Sequence, residues 1–170
     1  GFSVVSYTGN QTNATVGHGL GVAPKVVIAK GRDYVQNWAV YHYDIGVGKW
    51  LLLNGSNAAI TENIFGGVHP NPSTFSLNGN VVVNKNGGTN IAYCFAEVAG
   101  FSKFGSYTGT QASGNTVTLG FEPAFVMIKC TSNTMNWVIF DNKRDTTNPN
   151  EAILYPNLNN AEDNVPGAGV

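Results

Sequence analysis

PKVVIAKGRDYVQNWAVYHY, residues 24–43, contains two runs of β-branched and aromatic residues separated by a polar segment. Both runs are short, and glycine, asparagine and proline flank them. This pattern is typical of β-strands, because such side chains suit a pleated, half-buried surface. Nearly the same stretch, PAFVMIKCTSNTMNWVIFDN, returns at residues 123–142. The stretch therefore indicates both a β-fold and an internal repeat.

The repeat extends toward the N-terminal side of each stretch. SYTGNQ at Ser6–Gln11 returns as SYTGTQ at Ser106–Gln111. The offset stays at about a hundred residues, which is too long for a solenoid unit and close to the length of one small domain. We therefore predict two tandem homologous copies, residues 1–99 and 100–170, which pack as separate units or as one.

Further short apolar runs fill the first copy. SLNGNVVV at Ser76–Val83 places Asn78-Gly79 between two of them, and this dipeptide predicts a two-residue β-hairpin. No segment shows a sustained helical period with capping residues, which limits helix to a turn or two. About six to eight evenly spaced strands in a complete copy predict an all-β fold, an antiparallel β-sandwich or jelly roll.

The second copy ends before its pattern is complete. In the first copy, the predicted hairpin and the run NIAYCFAEV at Asn90–Val98 close the unit. Their counterparts would begin beyond Val170, so the second copy is expected to lack its last strands. Two explanations are open: the sequence is truncated, or another chain supplies the strands by edge pairing.

Aligned positions indicate which residues pack. Tyr41 aligns with Phe140, so its ring is expected in the core. Ala39–Val40 have apolar counterparts, which predicts a strand buried on both faces. Trp38 and Trp137 each follow an asparagine, and we expect them to anchor the core of their copies.

Composition and charge exclude several classes of protein. Charged residues make up 11% of the chain, less than half of the roughly 25% of ordinary soluble domains. The net charge is −1 and no basic cluster is present, so nucleic acid is not expected as a partner. No apolar run approaches the roughly 20 residues of a membrane-spanning helix, so no membrane partner is expected either.

The sequence contains no motif for catalysis or metal binding. Cys94 and Cys130 form no Cys-x-x-Cys pair and are interpreted as separate thiols, with a disulfide left open. No Gly-x-Ser-x-Gly elbow is present and no acidic pair recurs between the copies. Glu97 is expected to be paired at the join between the copies. No histidine shows metal-ligand spacing: His18, His42, His69. We therefore expect no cofactor, no metal and no enzymatic activity.

Four stretches of the sequence resemble a tandem domain of uncharacterised function: IAYCFAEVAGFSKFGSYTG at residues 91–109, GHGLGVAPKVVIAKGR, NWAVYH and LLLN. That domain recurs in virion proteins, often tail or tail-fibre proteins, of marine and cyanobacterial phages. The resemblance covers nearly the whole chain. It implies a lectin-like β-sandwich in an extracellular phage particle, in contact with the host surface, and it supplies no catalytic residues.

Loops that differ between the copies are the places where specificity is expected. GRDYVQ at Gly31–Gln36 differs completely from CTSNTM at Cys130–Met135. A glycan is commonly held by an aromatic face plus hydrogen-bonding groups, and five residues found only in the first copy supply both: Arg32, Asp33, Tyr34, Tyr43 and Trp50. The alternative is that Trp50 packs on the local core while Arg32-Asp33 forms a solvated turn.

Three functions follow as hypotheses. The first is a tail-appendage module that recognises a bacterial surface glycan within a homo-oligomeric fibre. The second is a purely structural virion component, such as a decoration or tail-scaffold protein, that packs against other virion proteins. The third is a polysaccharide-degrading enzyme with two acidic residues across a cleft.

Overall fold

The computed structural model describes residues 1–112 and 114–164. Its strands are β1 (Phe2–Thr8), β2 (Ala14–Gly17), β3 (Val26–Gly31), β4 (Ala39–His42), β5 (Lys49–Leu52), β6 (Ile60–Thr61), β7 (Thr74–Leu77), β8 (Thr89–Phe95), β9 (Phe125–Lys129), β10 (Trp137–Asp141), β11 (Ala152–Ile153) and β12 (Asp163–Asn164). The helical elements of these residues are a 3₁₀ turn at Tyr43–Ile45 and a single turn, α1 (Val81–Asn84). The predicted all-β class is confirmed.

The main sheet contains six strands in the order β1-β8-β3-β4-β5-β6, and every neighbouring pair is antiparallel. β8 lies between β1 and β3, so Tyr93 is opposite Val4 on one side and Ile28 on the other. Opposed residues lie on the same face of a sheet. We call the face with Tyr93 the outer face, and the face with Ala92 and Cys94 the inner face.

The inner face is covered by the two-stranded sheet of β2 and β7 together with α1. The resulting core contains residues from both layers: Val27, Ala29, Ala39, Tyr41, Trp50, Ala92 and Cys94 from the main sheet, and Ile64, Phe65, Phe75, Leu77 and Val83 from the covering layer. Each large side chain buried here stabilises the fold by about 1.5–3 kcal/mol. The arrangement is the sandwich-like packing that the strand pattern predicts.

Part of the outer face is covered by the β9–β10 hairpin. Trp137 packs against Val40 and Leu51, and its Nε1 donates a hydrogen bond of 2.7 Å to the Leu52 carbonyl. Strand β4 is thereby buried on both faces, as its sequence predicts. Trp137, however, anchors the interface between the hairpin and the main sheet. Trp38, the other expected core anchor, is only half-buried and lies on the outer face against Tyr93.

The hairpin predicted at Asn78-Gly79 is wrong, because the three valines after it form α1 instead of a strand. The Asn80 side chain caps this turn by accepting a hydrogen bond of 2.9 Å from Val82 N. The Asn78 side chain in turn accepts from Asn80 N at 2.9 Å. Such local bonds from asparagine side chains to the backbone outweigh the β-propensity of three residues.

SYTGNQ forms the end of β1 and a loop that docks on α1. The Tyr7 hydroxyl donates to the Val83 carbonyl at 2.7 Å. The buried Asn84 side chain accepts from Asn10 N at 2.8 Å and donates to the Thr12 carbonyl at 2.6 Å. The phrase is therefore structural in the first copy. Its counterpart SYTGTQ is exposed, and no strand lies between β8 and β9 in the described part of the chain.

The β3–β4 and β9–β10 hairpins share side-chain contacts as well as sequence. Trp38 N donates to Asn54 Oδ1 and Trp137 N donates to Asn157 Oδ1, both at 2.9 Å. In each pair the supporting asparagine follows the next strand along the chain. The likeness between the two hairpins thus extends to individual hydrogen bonds, and it does not extend to a second complete sandwich among the described residues.

Candidate functional site

The five residues predicted to bind a ligand lie in three separate places. Arg32, Asp33 and Tyr34 directly follow β3, at one end of the main sheet. Tyr43 follows β4 and is therefore at the opposite end, about 20 Å away along a strand of this length. Trp50 is only 4% exposed and packs in the inner core. Trp50 consequently offers no ring face to a ligand.

Tyr34 holds its loop against the turn before β8. Its ring lies so close to two glycines that a Cβ on Gly31 or Gly88 would approach it to 2.5 Å or 2.7 Å. Its hydroxyl donates a hydrogen bond of 2.6 Å to Asn90 Oδ1. Lys85 Nζ lies 5.1 Å from the ring centroid. These contacts occupy the ring and show a packing role for Tyr34.

Asp33 has a similar structural role. Its Oδ1 accepts a hydrogen bond of 2.9 Å from Thr89 N. Partial desolvation acts in the other direction, but the hydrogen bonds from Thr89 keep the pKa of Asp33 below its ordinary value. The neighbouring Arg32 is anchored by its backbone, whose N donates to the Thr89 carbonyl at 2.8 Å, while its side chain is exposed. Of the three loop residues, Arg32 is the one whose side chain faces solvent without a structural contact in the described chain.

The sheet register places a further set of residues beside Arg32, on the part of the outer face that the β9–β10 hairpin leaves open. We call this set the outer-face strip. It comprises alternate residues of β1 and β8 and the tryptophan before β4: Phe2, Val4, Ser6, Thr8, Thr89, Ile91, Tyr93, Phe95 and Trp38. Along its length the strip changes from aromatic to polar.

The aromatic part of the strip is a row of ring contacts. Phe2 lies 4.9 Å from Phe95 and 6.5 Å from Tyr93 between ring centroids, and the second pair is stacked. Trp38 stacks on Tyr93 from the other side at 6.2 Å. Phe2 is 57% exposed, which is unusual for so large an apolar side chain. The row therefore runs from the exposed ring of Phe2 on β1, across Tyr93 on β8, to the half-buried ring of Trp38 before β4.

At the polar end, the strip borders a small cleft of about 160 Å³. The residues that line it are Ser6, Tyr7, Thr8, Arg32, Thr89 and Asn90, and the exposed hydroxyl side chains among them are those of Ser6, Thr8 and Thr89. Sites for drug-sized ligands measure roughly 300–1,000 Å³. The cleft is therefore suited to one ring or one charged substituent of a larger molecule.

Tyr43 belongs to a different cluster. Its ring stacks on His69 at 4.2 Å, and Lys25 Nζ lies 3.5 Å from its centroid. The Tyr41 hydroxyl and His69 Nδ1 form a hydrogen bond of 2.6 Å. The ring of Tyr43 is engaged by these neighbours, and the cluster lies at the end of the sheet remote from Arg32.

The join between the copies contains another cleft, of about 300 Å³. Glu97 borders it, and Glu97 Oε1 accepts a hydrogen bond of 3.0 Å from Phe104 N and lies 3.9 Å from Lys103 Nζ. Glu97 is therefore paired, as the sequence predicts. Because this carboxylate is already engaged, the cleft offers no free charged group from Glu97.

Other chemistry is limited in the described residues. Among them, no group of three or more His, Cys, Asp and Glu could hold a metal ion. Cys94 and Cys130 are both free thiols, and burial raises the pKa of Cys94 to about 11. No helix in the described ranges has the length and apolar character needed to cross a membrane.

The sequence interpretation missed the aromatic residues of the strip. The comparison of the copies assigned shared residues to the scaffold, and Phe2 and Trp38 have identical counterparts in the second copy. The available signal was the alternation within β8, where small Ala92 and Cys94 alternate with the larger Ile91 and Tyr93. Such alternation indicates that both faces of the strand carry apolar side chains.

Comparison with known proteins assigns a family. No curated protein and no solved structure matches the chain. The family described as Domain of unknown function (DUF7483) matches residues 1–168. Because this match covers nearly the whole chain, the protein belongs to the DUF7483 family.

Proposed function

We propose that this protein is a glycan-recognition module of a phage tail appendage and that the outer-face strip is its binding surface. The observation that carries the proposal is the row of Phe2, Tyr93 and Trp38, which shares one strip with a cleft at its polar end bordered by Ser6, Thr8 and Arg32. The phage context comes from the sequence resemblance described above.

The chemistry of the strip suits a sugar. A pyranose ring has an apolar face of C–H groups and a periphery of hydroxyls, so it needs flat apolar contact and hydrogen-bonding groups side by side. Phe2 and Trp38 supply ring surface, and Ser6 and Thr8 supply hydroxyls from the same strand face. Sites of this kind combine apolar lining with a few placed polar groups.

The shape of the strip suits a polymer. The strip is open to solvent along β1, so a long polysaccharide can lie across it without threading into a closed pocket. An open surface of this size gives modest affinity for each protomer. In a homo-oligomeric fibre, several protomers would bind one polymer, and the high effective concentration of their strips would raise the overall affinity.

A structural virion component is the second candidate, and a different observation favours it. Large apolar side chains of the second copy are exposed, among them Phe101 at 79% and Phe125 at 58%. Exposed apolar patches commonly mark surfaces that pack against other proteins. This candidate predicts that Phe101→Ala and Phe125→Ala impair assembly, while changes in the strip leave assembly intact.

The proposal is tested by affinity electrophoresis of the intact chain in gels that contain neutral or acidic soluble polysaccharides. We expect Phe2→Ala and Trp38→Ala to weaken the retardation by about ten-fold or more, as truncation of an aromatic anchor does at other binding surfaces. Phe125→Ala is the matched control, since Phe125 is exposed to the same extent as Phe2 but lies outside the strip. Unchanged retardation of both strip variants would contradict the proposal.

A further inference from the structure

We infer that the cleft at the polar end of the outer-face strip takes a carboxylate-bearing sugar, such as a uronic acid, with Arg32 binding the carboxylate. This inference rests on the proposed function and specifies its ligand class. The cleft and the aromatic row lie on one strip, so a polymer with one acidic ring in the cleft would place further rings along the strip.

Arg32 has a fixed backbone and a guanidinium without an acidic partner in the described chain. Its backbone N is fixed to the Thr89 carbonyl, and its guanidinium makes no ion pair among residues 1–112 and 114–164. The other arginine of the chain, Arg144, is bound by Asp141 and Glu162, each at 2.6 Å. A guanidinium presents a planar fork of donors that matches the two oxygens of a carboxylate. Arg32 has this fork free of ion pairs with the described residues and is one of the residues that line the cleft.

The surroundings of Arg32 carry more positive than negative charge. Lys30 and Lys85 lie on the elements that flank Arg32, and Asp33 is the acidic residue of the same loop. Three cations thus surround one carboxylate in a chain whose net charge is −1. Asp33 is itself engaged by the Thr89 amide and influenced by Lys85. The cleft therefore retains an excess of positive charge that attracts an anionic ligand.

Two side-chain hydroxyls next to the cleft are available to a ligand. The Ser6 and Thr8 side chains are exposed beside the cleft, and within the described chain neither hydroxyl is engaged by another protein group. Both can therefore donate to or accept from the hydroxyls of a sugar ring. A free inorganic anion would need only the guanidinium. The combination of hydroxyls, guanidinium and adjacent rings favours an acidic sugar within a polymer.

The test measures binding of the intact chain to alginate, a polyuronate, to the same polymer after reduction of its carboxyl groups, to neutral dextran and to dextran sulfate. We expect alginate to bind at least about ten-fold more tightly than the reduced polymer, because a charge-assisted hydrogen bond pair is lost on reduction. Arg32→Gln should remove this preference and leave binding to dextran unchanged. Alginate binding should also weaken as salt is raised.

Two controls define the result. Arg32→Lys keeps the charge without the fork, so an intermediate preference is expected. Lys49→Gln removes an exposed cation on β5, outside the cleft, and should change nothing. Equal binding of alginate and its reduced form, or tighter binding of dextran sulfate than of alginate, would overturn the carboxylate assignment while leaving glycan recognition intact. Failure to bind any of the polymers would instead count against the proposed function itself.

Discussion

Substitution of Asn84 tests the account of how the first copy is held together. The side chain is 1% exposed and connects three segments of the chain. It accepts from Asn10 N at 2.8 Å and donates to the carbonyls of Thr12 and Asn78 at 2.6 Å and 2.7 Å. Asn84→Ala removes these three bonds, together with a longer one from its Nδ2 to Asn10 Oδ1 at 3.2 Å. At about 1 kcal/mol for each bond lost, the free energy of unfolding should fall by about 3 kcal/mol.

The assay is urea denaturation followed by tryptophan fluorescence, with thermal melting as a second measurement. A loss of about 3 kcal/mol corresponds to a decrease in melting temperature of roughly 6–12 °C for a protein of this size. Asn133→Ala is the control, since Asn133 is exposed and bonds only to its neighbour Ser132. Asn84→Asp replaces the donor with a second acceptor opposite two carbonyls and should destabilise at least as much. A change below about 1 kcal/mol for both Asn84 variants would refute the reasoning.

Two further predictions concern the backbone at Gly9 and the carboxylate of Asp145. Gly9→Ala places a Cβ against the Lys85 carbonyl oxygen and should lower the free energy of unfolding by about 1–3 kcal/mol. At the matching sequence position, Gly109→Ala meets nothing within 4 Å and should leave the free energy of unfolding unchanged. Equal effects of the two glycine variants would show that the copies do not differ there. Hydrogen bonds, first from the Thr147 side chain and then from backbone amides, hold the pKa of Asp145 at about 2, below its ordinary 3.8. The stabilisation from the ionised Asp145 is therefore complete above pH 3.8 and is lost as the pH falls toward 2. In acid denaturation, the stabilities of wild type and Asp145→Asn should differ above that range and converge within it.

The strands that sequence predicts best are those whose side chains are apolar without interruption. β3 and β4 are buried on both faces, so their composition alone identifies them. α1 could not be identified in the same way, because its valines favour a strand. What decides its conformation is a set of asparagine hydrogen bonds, and those of Asn84 reach Asn10 and Thr12 across more than 70 positions of sequence. Local propensity contains no information about such bonds.

The candidate site was predicted in part, for a related reason. The divergent loop led to Arg32, whose side chain lines the cleft. It also led to Tyr34, and the comparison of aligned positions led to Trp50; the structure uses both for packing. Which ring of a β-protein faces solvent depends on what covers each face of the sheet. That coverage depends on contacts between distant segments, and composition and spacing do not specify them.

Trp38 and Trp137 show how two similar hairpins come to present different surfaces. Both follow asparagine and both have their backbone N bound by an asparagine side chain; Trp137 begins β10, and Trp38 directly precedes β4. Trp137 is buried because the β9–β10 hairpin packs its face against β3, β4 and β5. That hairpin has only two strands, whereas the main sheet has six, so the outer face is covered over part of its width and β1 remains open. Trp38 lies at the edge of the uncovered part, beside Tyr93 and Phe2. The open strip is therefore a geometric consequence of a smaller sheet packed on a larger one, and a change that weakens the hairpin interface should alter the strip without any substitution within it.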